Sequence, residues 1–493
     1  MAFSFPDVFH WIQNLPPISE WETSSMSLNI CSSISSQPFL NLTIAKILQS
    51  SKLSLSIVAE FNVQVHLWNS KPFRPSIKTS KVIDEETVSD FFVVFIQSIL
   101  HYGNNKNSPF IRIPRLDSVP NIEDIFNVSF FTLLFLVCIY EAPSDLRSGC
   151  VAVLKDHLTS FQSRQASILL MKLLGSNLEE LWMRSVNLAV TSWIGEQKPP
   201  QNNFKTPCPL FSHAFSTLGL WKVQLYCPVI AMDVEKSESV SANDRLQFSL
   251  KYHQVESVLQ FNYKVTIKEK WVEIMVNVDN IRCDVTKLVN DSLMNERGAG
   301  ATEKHFLSRI SLQLTPTLQD QVLSLSVDKS SENPETEIGV DKGIEASFEP
   351  ASTLGVKVSA GESTTVSLKP WKFEESVYGY SANLNWFLHD VMDGKEVFSS
   401  KPSKFALINP KSWFKNRYSS ACRPFTRQGG VIFAGDEYGE RVSWKVDKEA
   451  IGKTMEWEIR GWIWLTYWPN KRMTLYNETR RLEFRELVHL DVA

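Results

Sequence analysis

Leu259-Gln-Phe-Asn-Tyr-Lys-Val-Thr-Ile267, followed by Lys-Glu-Lys-Trp and then Val272-Glu-Ile-Met-Val-Asn-Val278, is the stretch that decides the fold class. Apolar residues at 259, 261, 263, 265 and 267 alternate with polar partners, and positions 272, 274, 276 and 278 repeat the pattern. A strand sends successive side chains to opposite faces, so a period of two predicts strands with one buried and one wet face. The Lys268-Glu269-Lys270 link is short enough only for a hairpin. Similar segments surround this pair: 221–234, 246–252, 310–314, 322–327, 344–348, 354–358, 366–373, 431–434, 442–446, 455–467 and 474–484. Many short strands with few helices between them predict a large antiparallel β-sandwich or barrel-like domain over residues 210–493. No fixed-period repeat accompanies them, which argues against a propeller or solenoid.

Working back toward the amino terminus, residues 195–209 contain four prolines and cannot continue a helix; they are expected to be a linker. Before it, the period changes. Residues 85–102, 122–140, 145–161, 164–174 and 178–194 read as helices, with Asn177 as the expected N-cap of the last. The segment 122–140 is apolar on nearly every side in its later half, as a helix buried inside a domain would be. Ahead of this block, residues 52–68 alternate strictly enough to predict a strand, with shorter ones at 26–30 and 40–44. The expected fold is therefore α+β: a small antiparallel sheet with a helical block over residues 1–194, then the linker, then the β domain.

The chain has 493 residues, enough for two to four domains. Lys and Arg total 51 against 54 Asp and Glu, a net charge of −3, so no broad basic field exists to hold nucleic acid. Seven cysteines, at 31, 138, 150, 208, 227, 283 and 422, are odd in number, widely spaced and without a CxxC pair. That usage suits free thiols in a reducing compartment. The first residues lack the basic and continuous apolar regions of a secretory signal, and the apolar window 130–140 is shorter than the roughly 20 residues needed to span a bilayer. The expectation is a soluble cytoplasmic protein, in which the Asn-x-Ser/Thr triplets at Asn41, Asn127, Asn290 and Asn477 are chance matches.

Several stretches are candidates for chemistry. Gly298-Ala-Gly-Ala-Thr302 is glycine-rich but lacks the GxxxxGK[ST] spacing and the strand-to-helix setting of a phosphate loop, so it reads as a connection. Asp436, Glu437 and Glu440 gather three carboxylates in five residues, the raw material of acid/base hydrolysis, yet glycines on either side also suit an exposed hairpin turn. Nine scattered histidines form no HExxH or His/Cys cluster, so no metal site is expected. Between 321 and 371, Ser and Thr alternate with Leu, Val and Ile, as in strands that line a membrane pore or, equally, in any sandwich strand. Trp462, Trp464 and Trp468 share one face of a regular strand, and Lys471 and Arg472 follow in its turn. Trp462 and Trp464 are expected in the core, leaving Trp468, Lys471 and Arg472 as a candidate binding edge.

The segment Gly461-Trp-Ile-Trp-Leu-Thr-Tyr-Trp-Pro-Asn-Lys-Arg472, with Tyr476-Asn-Glu-Thr-Arg-Arg481 and the run Gly429–Glu440, resembles the carboxyl-terminal region of a plant-specific family of uncharacterised proteins. The resemblance implies a plant source and no particular activity. These readings combine into a non-enzymatic intracellular binding or scaffold protein whose partner is a protein or a small polar ligand, with no cofactor. Two alternatives stand beside it: a hydrolase working through the carboxylate cluster, and a membrane-associating or pore-forming β protein.

Overall fold

The computed structural model describes residues 5–32, 39–47, 51–75, 82–103, 121–196, 212–235, 244–289, 304–329, 336–341, 363–368, 371–388, 431–434, 440–468 and 478–492. The amino-terminal sheet contains β1 (Ser25–Ser32), β2 (Phe39–Lys46), β3 (Leu53–Glu60) and β4 (Gln64–Asn69), antiparallel and in sequence order. The alternation read as one strand over 52–68 is thus a hairpin, turned at 61–63, where the Phe61 N–H donates to the Val63 carbonyl. Its turn preserves the parity of the pattern, which is why a period of two cannot distinguish it from a single long strand.

Among the described residues, six helices accompany that sheet in the amino-terminal half: α1 (Val8–Gln13), α2 (Glu85–His101), α3 (Ile122–Tyr140), α4 (Ser144–Leu158), α5 (Phe161–Leu174) and α6 (Ser176–Glu196). Helix α3 is long and apolar enough to cross a membrane by length and composition, but here it is the central helix, buried and packed by α1, α2, α4, α5 and α6. Asn127 on α3 serves an internal contact. Its Oδ1 accepts the Val8 and Phe9 N–H groups at 3.1 and 3.0 Å and so anchors the start of α1. Helix α6 begins one residue before its expected cap. Gly175, at φ +77°, breaks the chain, and its carbonyl accepts the Glu179 N–H, leaving Asn177 inside the first turn. Of the linker expected over residues 195–209, Gly195 and Glu196 belong to the end of α6, ahead of the first proline, and residues 197–209 lie outside the described residues.

The β domain forms two facing antiparallel sheets. One contains β5 (Ser212–Thr217), β6 (Leu220–Pro228), β8 (His253–Ile267), β9 (Val272–Lys287), β11 (Val322–Lys329), β16 (Val431–Ala434) and β17 (Glu440–Val446), in the order β11-β17-β9-β8-β6-β5 with β16 also on β9. The other contains β7 (Asp233–Val234), β10 (Lys304–Pro316), β14 (Trp371–Tyr378), β15 (Ser381–Leu388), β18 (Thr454–Trp468) and β19 (Glu478–Asp491), in the order β14-β15-β10-β18-β19-β7. The predicted hairpin is β8–β9, and among the described residues no barrel closes. Residues 246–252, expected as a strand, belong instead to helix α7 (Asp244–Tyr252). Leu246 and Leu250 stand four apart and are both buried, a spacing that serves a helix face as readily as it mimics alternation.

Aromatic rings fill the space between the sheets. Trp457 of β18 lies 5.5 Å from Trp221 of β6 and 5.9 Å from Trp444 of β17, ring centre to ring centre. The indole N–H of Trp221 donates to the His489 carbonyl at 2.9 Å and that of Trp444 to the Tyr380 carbonyl at 3.0 Å, so these two rings are buried with their polar atoms paired, whereas the Trp457 indole N–H is buried without a hydrogen-bond partner among the described residues. One contiguous apolar core runs from this layer through α6 and α3 to the amino-terminal sheet.

Candidate functional site

Strand β18 presents Met455, Trp457, Ile459, Ile463, Leu465 and Tyr467 to the core, all at most 1% exposed. Trp462 and Trp464 therefore occupy the outer face of their sheet. Trp464 is nevertheless 6% exposed, because the Arg309 guanidinium lies 4.4 Å from its ring centre and 4.5 Å from that of Phe387. Trp462 is half-buried beneath Arg460 at 4.9 Å. Trp468 is the last residue of β18, opposite Lys304. Lys471 and Arg472 lie outside the described residues.

Asp436 and Glu437 also lie outside the described residues, and Glu440 opens β17 opposite Lys329. The neighbouring strands nevertheless decide one point. Both β16 and β17 run antiparallel to β9, with Ala434 opposite Asn280 and Arg441 opposite Asn277. Two segments with the same direction on one partner are collinear pieces of a single interrupted strand. Strands β16 and β17 are therefore not the two arms of one hairpin. Among the described residues no group of three or more His, Cys, Asp or Glu side chains is placed to hold a metal ion.

The helical block meets the sandwich through a set of polar contacts that no linear pattern announced. Arg184 of α6 donates to Glu256 of β8 at 3.0 Å, Asn187 donates to Gln254 at 2.9 Å, and His213 of β5 faces the Glu179 carboxylate at 3.0 Å. Glu486 of β19, 2% exposed, pairs with Arg164 of α5 and accepts from the Ser212 hydroxyl at 2.6 Å. Beside these groups a cavity of about 30 Å³ is lined by Phe135, Leu170, Trp182, Arg164, Ser212 and His213 among others. That volume suits one or two waters rather than an organic ligand.

The remaining candidate is the Ser/Thr-rich region. Among the described residues, strands β12 (Thr336–Asp341) and β13 (Ser363–Leu368) pair with each other and with neither large sheet, forming a two-stranded ribbon. Opposed residues share a face, so the register sorts the ribbon into two sides. One side holds Glu337 and Ser367, Gly339 and Thr365, Asp341 and Ser363; the other holds Thr336 and Leu368, Ile338 and Val366, Val340 and Thr364. In chain order the ribbon follows β11 and precedes β14, which are the edge strands of the two facing sheets. It is therefore an insertion at one edge of the sandwich. The sequence pattern predicts no strand at 336–341, and the one expected over 366–373 is divided between β13 and β14; the strands expected at 344–348 and 354–358 lie outside the described residues.

No family model and no curated protein matches this chain. Among solved structures, one described as a pore forming protein aligns over 57% of this chain and 99% of its own length, at 6% identity and a TM-score of 0.21. The membrane-inserted form of the Clostridium perfringens NetB toxin aligns over 57% of this chain and 93% of its own, at 8% identity and a TM-score of 0.19. Superpositions this loose carry no argument about fold or function.

Proposed function

We propose that this chain is a binding protein whose target is a lipid surface, and that the β12–β13 ribbon is the element that enters it. The observation that carries this reading is the register of the ribbon, with charged, hydroxyl and glycine residues on one side and mainly apolar residues on the other. A lipid surface would cover the apolar side of such a ribbon while water wets the opposite side. Thirty-three residues run from Thr336 to Leu368. That length suffices for two arms of the about ten residues each that a membrane-crossing strand needs. Two strands leave open edges in hydrocarbon, and membrane barrels have about eight strands or more, so a pore requires at least about four copies. With a net charge of −3 the chain gains nothing from anionic headgroups, so the reading points to neutral, zwitterionic bilayers.

The test is co-sedimentation with phosphatidylcholine vesicles together with release of an entrapped dye. The full chain is expected to bind and to release dye with a steep dependence on its own concentration. Ile338→Asp and Val366→Asp, on the apolar side, are expected to abolish release, while Thr365→Asp on the polar side leaves it within about twofold. Equal loss from both sides, or no sedimentation at any lipid concentration, overturns the reading.

A further inference from the structure

At the end of the sandwich from which the ribbon departs, two buried imidazoles share one serine. His305 of β10 is fully buried, and its Nδ1 lies 3.0 Å from the Ser249 Oγ of α7. His253 of β8, 5% exposed, has its Nδ1 2.9 Å from the Ser249 carbonyl and 3.3 Å from the same Oγ. A carbonyl only accepts, so His253 carries its proton on Nδ1. In the neutral ring the Ser249 hydroxyl can donate to His305 Nδ1, which leaves the ring proton on Nε2, an atom that meets no hydrogen-bond partner among the described residues. The cluster joins β8 in one sheet to β10 in the other, with α7 across the gap.

We propose that Ser249, His253 and His305, with Arg480 beside them, form an acid-sensitive latch that holds the two sheets together at the ribbon end of the sandwich. Among the described residues, each packed element contributes a group that bears on the charge. Helix α7 offers only the Ser249 hydroxyl at contact, and its Lys251 lies over the Tyr252 ring. Strand β18 places the Tyr467 ring 5.2 Å from His305, strand β9 sets Lys287 opposite His253, and β19 supplies Arg480. Arg480 is already engaged by Glu478 and by the Met232 carbonyl at 2.9 Å, and Glu235 stands at the end of β7, which pairs with β19 at Arg480. Burial first, then His253 and Arg480, hold His305 in its neutral form well below the usual imidazole range. Protonating it would place a new charge on a fully buried ring, and would require Ser249 to accept rather than donate.

Acid therefore weakens the fold. A group whose folded state resists protonation binds fewer protons than the unfolded chain, so stability is full above the ordinary imidazole value of about 6.5 and falls below it. For one such proton the folded-to-unfolded ratio drops about tenfold per pH unit. The consequence for a membrane, release of the ribbon end under acid, rests on the function proposed above; the latch itself does not.

Denaturation midpoints of the full chain between pH 8 and pH 5 test it. The chain is expected to lose stability below about pH 6.5, and His305→Gln to remove up to tenfold per pH unit of that loss. His10→Gln, at an exposed position, is expected to leave the slope unchanged. A His305→Gln slope equal to that of the parent overturns the latch. Should that variant fail to fold, amide exchange on the parent decides. Rate-corrected exchange is expected to rise at pH 5.5 in β10, α7 and β19 over the β5–β6 hairpin, and a uniform rise overturns the proposal. Dye release from phosphatidylcholine vesicles at both pH values separates the two ideas. A latch that opens with no release at either pH leaves the latch standing and removes the membrane reading.

Discussion

Trp457 and Trp464 lie on the same strand, seven residues apart, and do different work. Trp457 is fully buried among rings from the opposite sheet, so Trp457→Ala opens a cavity that the surrounding indoles cannot collapse into. We expect it to cost about 3–5 kcal/mol. Trp464 is covered mainly by a guanidinium on the outer face, and a flexible arginine can follow a shrinking partner. Trp464→Ala should cost about half as much, and equilibrium denaturation of the two variants measures the difference. Sequence periodicity placed both rings on one strand and assigned Trp462 and Trp464 to the core. Alternation alone cannot say which of two mixed faces turns inward, because both faces of β18 carry large apolar residues.

Gly461 belongs to the pairing of β18 with β19. It stands opposite Phe484, and a Cβ built there would lie 2.1 Å from the ring's Cζ and 3.0 Å from Leu312 Cδ2. The absent side chain is what lets the phenylalanine lie flat across the strand. Gly461→Ala is expected to destabilise by about 1–3 kcal/mol through overpacking. Phe484→Leu in the same chain should recover part of that loss, and a double-mutant cycle reads the coupling. If the two changes simply add, the ring is not held by the glycine. The two-residue turns have an equally local cause, since Gly219 and Gly379 at φ +76° and +59° supply the positive φ that tight hairpins require. Turns of this kind are legible in the sequence alone. The ribbon is not: Val340 and Val366 alternate with polar neighbours just as core strands do, and only pairing reveals that they join neither sheet.

The helical block and the sandwich are joined across a polar seam rather than by apolar packing alone. Glu486 is nearly inaccessible and depends on Arg164 and Ser212 for compensation. Arg164→Ala leaves that carboxylate buried without its cation, and because Arg164 itself is partly exposed the cost should not exceed about 3 kcal/mol. Glu486→Gln, which keeps a group able to bond Ser212 and removes the stranded charge, should cost less. Because α6 makes its bonds to β8 and the apolar core continues across the seam, thermal unfolding followed at helix and tryptophan signals is expected to give one coincident transition. Two separated transitions would show that the halves unfold independently.

Local pattern settled what depends on neighbours a few residues apart. The period of two wrote β8, β9 and β18 into the chain, the apolar run of 122–140 wrote the buried helix, and the α+β division followed from where one period replaced the other. Periodicity is a property of a single segment, however, and everything that brought distant segments together was decided by tertiary contacts. The Ala434 and Arg441 pairings on β9 made collinear segments of two strands expected as the arms of a hairpin. Three residues from α7, β8 and β10 met around one serine hydroxyl although they occupy positions 249, 253 and 305. The ribbon acquired its place only because β11 and β14 became edge strands of facing sheets. Which strand stands beside which, and which face turns inward, is chosen by the burial of the whole chain, and no window of sequence contains that choice.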